Sequence, residues 1–231
     1  MIKLPQEHAQ GRTTLADLQD IRSKLFASLV SDVLDSLGYM NQALPPAIRP
    51  LDESSVMVGR ARTALFMDVY EVEPDENPYD LEIRLIDSLQ PDQIPVFSCG
   101  RTGRIAPWGE LLSTAAKVRG AAGALMDGMV RDIKAIRTMG FPVFHGGIGP
   151  LDSKGRGKIM AVDVPVECAG VRIAPGDLIV ADADGVVVVP QQVEAQALAA
   201  AYEKLKGERK TLADLQAGIS LGAVYAKYGI L

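Results

Sequence analysis

The sequence predicts an α/β fold in one domain spanning residues 1–231, with helical extensions at its N- and C-terminal ends. Three observations carry this. Short apolar runs alternate with helical stretches through the middle of the chain, a long amphipathic pattern precedes them, and a strand-rich block followed by helical sequence closes it. With 231 residues, 48% of them hydrophobic, the chain can bury one substantial core.

Residues 14–37 predict one helix. Leu15, Leu18, Ile21 and Leu25 fall on one stripe, continued by Leu29, Val30, Val33, Leu34 and Leu37, and Gly38 can cap the end. Thr14 with Asp17 makes a capping-box start. The hexapeptide TLADLQ returns at 211–216, where it reads as a second helix start and not as a repeat. The runs VMVGRARTALF (56–66), IPVF (94–97), GALM (123–126) and FPVF (141–144) read as strands, interleaved with helical stretches at 109–119 and 132–139. KIMAVDVPVEC (158–168) and VRIAPGDLIVADADGVVVVP (171–190) predict a hairpin or meander, with tight turns at Pro175-Gly176 and Asp184-Gly185. From Gln191 the chain turns helical to about Glu208, then TLADLQAG, then a last amphipathic piece ending YGIL. These C-terminal helices are expected to pack on the core or on a neighbouring subunit. EVEPDENPYD (71–80) reads as a surface loop and GGIGPLDSKGRGK (146–158) as a flexible one, since the latter lacks phosphate-loop spacing.

The net charge of −5 with scattered Lys and Arg argues against a nucleic-acid partner. No stretch approaches the roughly 18 uninterrupted apolar residues of a membrane helix. Cys99 and Cys168 match neither a disulfide framework nor a C-x-x-C signature, and nothing resembles a signal peptide, so a reducing cytoplasm is expected. DADG (182–185) reads as a turn, because the glutamate that would close a calcium loop is absent. His8 and His145 cannot make a local metal pair, and His145 reads as structural. No serine lies in a G-x-S-x-G elbow, so covalent catalysis has no candidate.

Two motifs remain, W-G-E-L-L (108–112) and D-G-x-x-R-D (127–132). The first reads as a helix N-terminus, with Gly109 allowing close approach and the amides of Glu110, Leu111 and Leu112 free to meet an anion. The second reads as a strand-to-helix turn, where open α/β sheets place ligand-binding groups. Arg131 and Asp132, diverging from adjacent positions, could present a cation and a hard oxygen ligand to one cavity, which suits a 2-oxo acid held by a divalent metal. Alternatively, Asp132 caps the next helix and Arg131 makes a surface ion pair.

WGELLSTAAKVRGAAGALMDGMVRDIKAIRTMGFPVF resembles the core signature of the family that contains the regulator of ribonuclease activity A and the class II aldolases of 4-hydroxy-4-methyl-2-oxoglutarate and 4-carboxy-4-hydroxy-2-oxoadipate. VPVECAGVRIAPGDLIVADADGVVVVP resembles its second half, and the likeness covers roughly residues 25–231. The resemblance implies a β/β/α swivelling-domain fold like that of phosphohistidine domains, and trimers or hexamers with the site between subunits. It also implies that Arg131 binds the pyruvoyl end of the substrate and that Asp132 is the magnesium or manganese ligand. The family's acidic residue in G-x-x-D, holding a metal-bound water, maps to Glu110, with Pro107 in place of the glycine. A carboxylate recruited from a neighbouring subunit's C-terminal region maps to Glu208. The implied function is metal-dependent cleavage of a 4-hydroxy-2-oxo acid to pyruvate and a second oxo acid, with oxaloacetate decarboxylation as a side activity. The alternatives are a dedicated oxaloacetate decarboxylase and a non-catalytic regulator that binds a ribonuclease. The N-terminal helical region and C-terminal extension resemble the aldolase-type members, and no glycine-rich turn followed by an acidic residue supports a nucleotide-type cofactor.

Overall fold

Twelve strands and seven helices make up the computed structural model, which describes residues 15–72, 75–100 and 103–230. His8 and the Thr14 capping residue lie outside them. The expected single N-terminal helix is two, α1 (Leu15–Lys24) and α2 (Ala27–Ser36). The break is tertiary in origin. Phe26 is extended, and the amide of Ala27 donates to the Asp182 carboxylate at 2.8 Å, a new cap supplied from 155 residues away. Gly38, with φ +85, closes α2 as expected, with its amide bonded to Asp35 O.

After β1 (Arg49–Pro50), the chain winds through β2 (Met57–Asp68), α3 (Asp80–Asp87), β3 (Gln93–Ser98), α4 (Glu110–Val118), β4 (Ala124–Met126), β5 (Met129–Val130), α5 (Ile133–Met139) and β6 (Val143–His145). Strands β2, β3, β4 and β6 are parallel neighbours with a helix in each crossover, the α/β core that the alternating texture predicts. Next come β7 (Gly147–Ile148), β8 (Gly157–Val162), the hairpin of β9 (Val166–Cys168) and β10 (Val171–Ile173), and the hairpin of β11 (Leu178–Asp182) and β12 (Gly185–Val189). β2 is long enough to pair with β11 along its first part and with β8 along its second.

The sheet order β1-β6-β4-β3-β2-β11-β12 curls almost into a barrel. Residues 42–44 join its ends: Leu44 N donates to Val186 O, Val188 N to Gln42 O, and β1 follows to pair with β6. Alternation along the strands separates two environments. Met57, Ile94, Val96, Leu125, Phe144 and Ile179 point to the interior. Phe66, Phe97, Met126 and Val143 point outward under α3, α4 and α5, whereas Val58, Val180 and Val187 point outward under α1, α2 and α6.

α6 (Glu194–Gln216) runs unbroken through the second TLADLQ, and α7 (Leu221–Tyr228) folds back on it. The second copy is therefore a helix end, not a start. Thr211 does not cap there because its hydroxyl donates back to Gly207 O at 3.1 Å, a bond made inside a continuing helix. No helix among the described residues is long and apolar enough to cross a membrane.

Candidate functional site

The carboxyl ends of β3, β4 and β6 lie along one rim, and the segments that follow them are stitched side by side. Trp108 bridges Val130, β5 runs parallel to β7, Ala106 N donates to Leu151 O and Gly149 N to Val130 O. The W-G-E-L-L turn, the D-G-x-x-R-D turn and the 146–158 loop thus form one layer at the edge where α/β sheets carry ligands. Trp108 fixes this layer. Its ring is fully buried between Phe97 (5.4 Å, edge-on) and Phe141 (6.3 Å, stacked), its Nε1 donates to Ser113 Oγ at 2.7 Å, and its carbonyl accepts from Arg131 N at 2.9 Å. Asp127, the first residue of the second motif, is 6% exposed, and its carboxylate accepts the amides of Cys99 and Ala169. It is a structural clamp.

Asp132 sits at the N-cap position of α5 with φ 57 and ψ 32, a left-handed conformation that Asp tolerates, yet it makes no side-chain cap there. Its Oδ2 instead accepts the Glu110 amide at 3.1 Å, at the N-terminus of the other helix, α4. Both sequence readings change accordingly. Asp132 caps α4 and not the helix that follows it, and only the Leu111 and Leu112 amides remain for an external anion. Gly109 makes this possible. A Cβ there would lie 2.5 Å from Asp132 Oδ2 and 3.1 Å from Arg131 Cγ, and since Gly109 is extended at φ −155 the requirement is space, not backbone freedom.

Arg131 and Asp132 do not diverge as expected: Arg131 Nε lies 3.9 Å from Asp132 Oδ2. Adjacency at a turn does not separate them because both side chains converge on Gly109, where no Cβ intervenes. On its other side, Arg131 Nη1 lies 3.5 Å from Oδ1 of Asp152, and the Tyr79 hydroxyl donates to Asp152 Oδ2 at 2.6 Å. Glu82, on α3 three residues after Tyr79, is 7% exposed. Burial, reinforced by the Asp152 charge and opposed by Arg131, pushes the Glu82 carboxyl up to about 8. Burial and the hydrogen bond to Asp152 push the Tyr79 phenol up to about 12.

Tyr79, Glu82 and Asp152 carry no signal in the sequence reading, which treats 71–80 and 146–158 as loops and contains no α3. The apolar spacing of Leu81, Leu85 and Ile86 was the available signal for that helix.

The remaining expected residues are placed as follows. Glu110 opens α4 and is exposed, Leu111 beside it is 81% exposed, and Leu112 packs against the core under α4. Glu208 lies on α6, 3.8 Å from Lys204, which also holds Asp32 of α2. That helix group covers other strands than α4 and α5 do, so within one chain the fold does not bring Glu208 to Arg131 and Asp132. His145, expected to be a satisfied structural residue, is buried, but its Nδ1 has no hydrogen-bond partner among the described residues. Cys99 and Cys168 are buried and form no disulfide. A cavity of about 220 Å³ lies at the far end of α5, between Leu51, Asp52, Ser54, Arg137 and Phe141, and none of the motif residues lines it.

Among the described residues no three His, Cys, Asp or Glu side chains converge as a metal cage. A hydrated magnesium or manganese ion asks for less. Asp132 offers a hard oxygen donor on a side chain 46% exposed, and one carboxylate completed by waters is a normal protein share for magnesium. The residues present fit such an ion.

The model of the RraA-like family (Aldolase/RraA) matches residues 27–188, the stretch containing all three turns of the site. A protein of Halalkalibacterium halodurans, provisionally named 4-hydroxy-4-methyl-2-oxoglutarate aldolase, is 38% identical over 175 residues, covering 76% of this chain and 77% of its own. A Thermus thermophilus protein named 4-hydroxy-4-methyl-2-oxoglutarate aldolase is 29% identical over 158 residues, covering 68% of this chain and 90% of its own. Among solved structures, Streptomyces coelicolor RraAS2, described as an unusual member of the RNase ES inhibitor RraA protein family, superposes with a TM-score of 0.76 at 27% identity, covering 87% of this chain and 98% of that one. An uncharacterized Pseudomonas syringae protein reaches a TM-score of 0.80 at 27% identity over 93% and 99%. The site layer and the sequence that builds it lie within the matched segment, and the chain belongs to the RraA-like aldolase/RraA family.

Proposed function

We propose that the protein is a divalent-metal-dependent lyase that cleaves a 4-hydroxy-2-oxo acid, such as 4-hydroxy-4-methyl-2-oxoglutarate, to pyruvate and a second oxo acid. The observation that carries this reading is the joining of Arg131, Asp132 and the amide end of α4 across the gap left by Gly109. A cation, a hard anionic ligand and two available amides there meet the needs of an anionic oxo acid and little else. The names of the relatives support the same chemistry.

Magnesium or manganese held by Asp132 would supply Lewis acidity toward the 2-oxo group. Arg131 would grip the substrate carboxylate through its planar fork and balance the negative charge that grows on the pyruvoyl oxygens as the C3–C4 bond breaks. The Leu111 and Leu112 amides would orient the same end. Glu110 would draw the proton from the C4 hydroxyl through a water, assisted by Glu208 of a neighbouring subunit, and C3 would take up a proton to complete pyruvate. The assembly in this reading is a trimer or hexamer in the cytoplasm, with the site between subunits. Leu111 and Val118, each 81% exposed on α4, support a partner surface beside the site. Oxaloacetate decarboxylation needs the same charge stabilisation without the base, so it is expected as a side activity or, if it occurs alone, as the main one.

The test supplies purified protein with 4-hydroxy-4-methyl-2-oxoglutarate and, separately, with oxaloacetate, and follows pyruvate with magnesium, with EDTA and with Asp132→Ala. Metal-dependent pyruvate from the hydroxy acid, lost in the variant, is the expected result. Pyruvate from oxaloacetate alone makes the protein a decarboxylase. No pyruvate from either, with tight capture of an RNA-degrading enzyme in a pull-down, replaces catalysis with regulation.

A further inference from the structure

Arg131 and Asp132 approach each other and stop short of a hydrogen bond. Both side chains converge on Gly109, where no Cβ separates them, yet Arg131 Nε stays 3.9 Å from Asp132 Oδ2. A second carboxylate accounts for the gap. Asp152 Oδ1 lies 3.5 Å from Nη1, on the other side of the same guanidinium. Asp152 is itself held at three points. Its Oδ2 accepts the Tyr79 hydroxyl at 2.6 Å, its Oδ1 accepts the Ser153 amide at 2.9 Å, and Arg156 Nη1 donates to its main-chain carbonyl at 3.0 Å. Arg156 thus braces the backbone of Asp152, while the carboxylate faces Arg131. Asp132 is less committed. Its Oδ2 accepts the Glu110 amide, and its Oδ1 accepts no hydrogen bond from the described residues.

We propose that Asp152, locked by Tyr79, is a positioning residue: it holds the Arg131 guanidinium away from Asp132 and so keeps the Asp132 carboxylate open to a divalent cation. The inference rests on the reading of Asp132 as the metal ligand. A guanidinium left alone beside a carboxylate closes to a charge-assisted pair at about 2.8 Å. Oxygens engaged in that way are lost to a hydrated ion, which needs a hard oxygen donor. Asp152 opposes the closure by offering a competing carboxylate on the far side, and the guanidinium, drawn from both ends, keeps one orientation. Tyr79 enters because the Asp152 side chain is 35% exposed and would swing into solvent unless the phenol held it.

Manganese binding is measured by calorimetry in the native protein, Asp152→Ala, Arg131→Gln and the double variant. Asp152→Ala should bind roughly tenfold more weakly, and Arg131→Gln should tighten binding at least about fivefold more in the Asp152→Ala background than in the native one, because groups that act through each other are non-additive. Equal effects of Arg131→Gln in both backgrounds overturn the proposal, since a lost negative charge or a loosened loop weakens binding whether or not Arg131 is present. Tyr79→Phe removes a hydroxyl and no charge. It should weaken manganese binding about threefold in the native background and add nothing in Asp152→Ala, and unchanged affinity in the native background overturns the role of Tyr79. A crystal structure of metal-free Asp152→Ala gives a readout that needs no ligand. Arg131 should be hydrogen-bonded to Asp132 there, and an unmoved guanidinium overturns the proposal. Native protein that binds no manganese, with the guanidinium moved as expected, removes the metal reading of Asp132 and the guarding of a cation site that rests on it.

Discussion

Gly109→Ala tests the geometry of the site with the smallest perturbation available, one methyl group. A Cβ at 109 would lie 2.5 Å from Asp132 Oδ2 and 3.1 Å from Arg131 Cγ, so the carboxylate must leave the Glu110 amide that it accepts at 3.1 Å. Hydrogen bonds to charged groups contribute about 1.5–3 kcal/mol. Asp132 is 46% exposed, which screens the interaction and favours the lower end of that range. A loss of about 1.5 kcal/mol corresponds to roughly tenfold in an equilibrium or rate constant, and to a Tm lower by about 3–6 °C in a domain of this size. Because Gly109 is extended, with φ −155, alanine introduces no backbone strain to confuse the result. The expected outcome is at least tenfold weaker manganese binding by calorimetry and at least tenfold lower kcat/KM for pyruvate release, with circular dichroism unchanged at low temperature. A variant that matches the native protein in both metal affinity and turnover would refute the claim that Asp132 must sit against the α4 amide end.

Three further outcomes follow from the same structure. Arg131→Lys keeps a positive charge but loses the planar fork, so KM for the oxo acid should rise about tenfold or more while manganese affinity measured by calorimetry stays within about twofold. The bidentate pair of Arg60 with Glu194, at 2.5 and 2.7 Å and with the carboxylate 10% exposed, ties β2 to α6. Glu194→Gln should cost on the order of 3 kcal/mol, read as a lower urea midpoint with the slope unchanged. Glu82 holds its proton more tightly folded than unfolded, its carboxyl lying at about 8 against an ordinary 4.5. Its contribution to stability is therefore full below about pH 4.5 and is lost as pH rises toward 8, and Glu82→Gln should flatten that stretch of the stability profile in chemical denaturation.

How much of this was legible in the sequence depends on where each residue's partner lies. The parallel core was legible because short apolar strands separated by amphipathic stretches leave few other solutions, and Gly38 ended its helix as a glycine at that position should. Arg131, Asp132 and Gly109 were legible as a group because two short motifs carried them. Their mutual geometry was not, since the cap of α4 comes from a residue 22 positions away, and sequence rules for capping look only to the adjacent residue. The same reason hid the break at Phe26, where Asp182 supplies the cap, and the unbroken course of α6 through Thr211, whose hydroxyl bonds inside the helix. Tyr79, Glu82 and Asp152 stayed hidden for a different reason. Each sits in or beside polar, proline- or glycine-containing sequence that predicts solvent exposure, and it is the pairing of β5 with β7 and of Ala106 with Leu151 that folds the second loop onto the two motifs and brings Asp152 to Arg131. A buried carboxylic acid such as Glu82 cannot be told from a surface glutamate by its neighbours in sequence, because its burial is decided by what α3 packs against, β8 and α4. The residues around Arg131 that come from α3 and the 146–158 loop thus lie where local pattern is least informative, and the residues proposed to hold ligands lie where it is most informative.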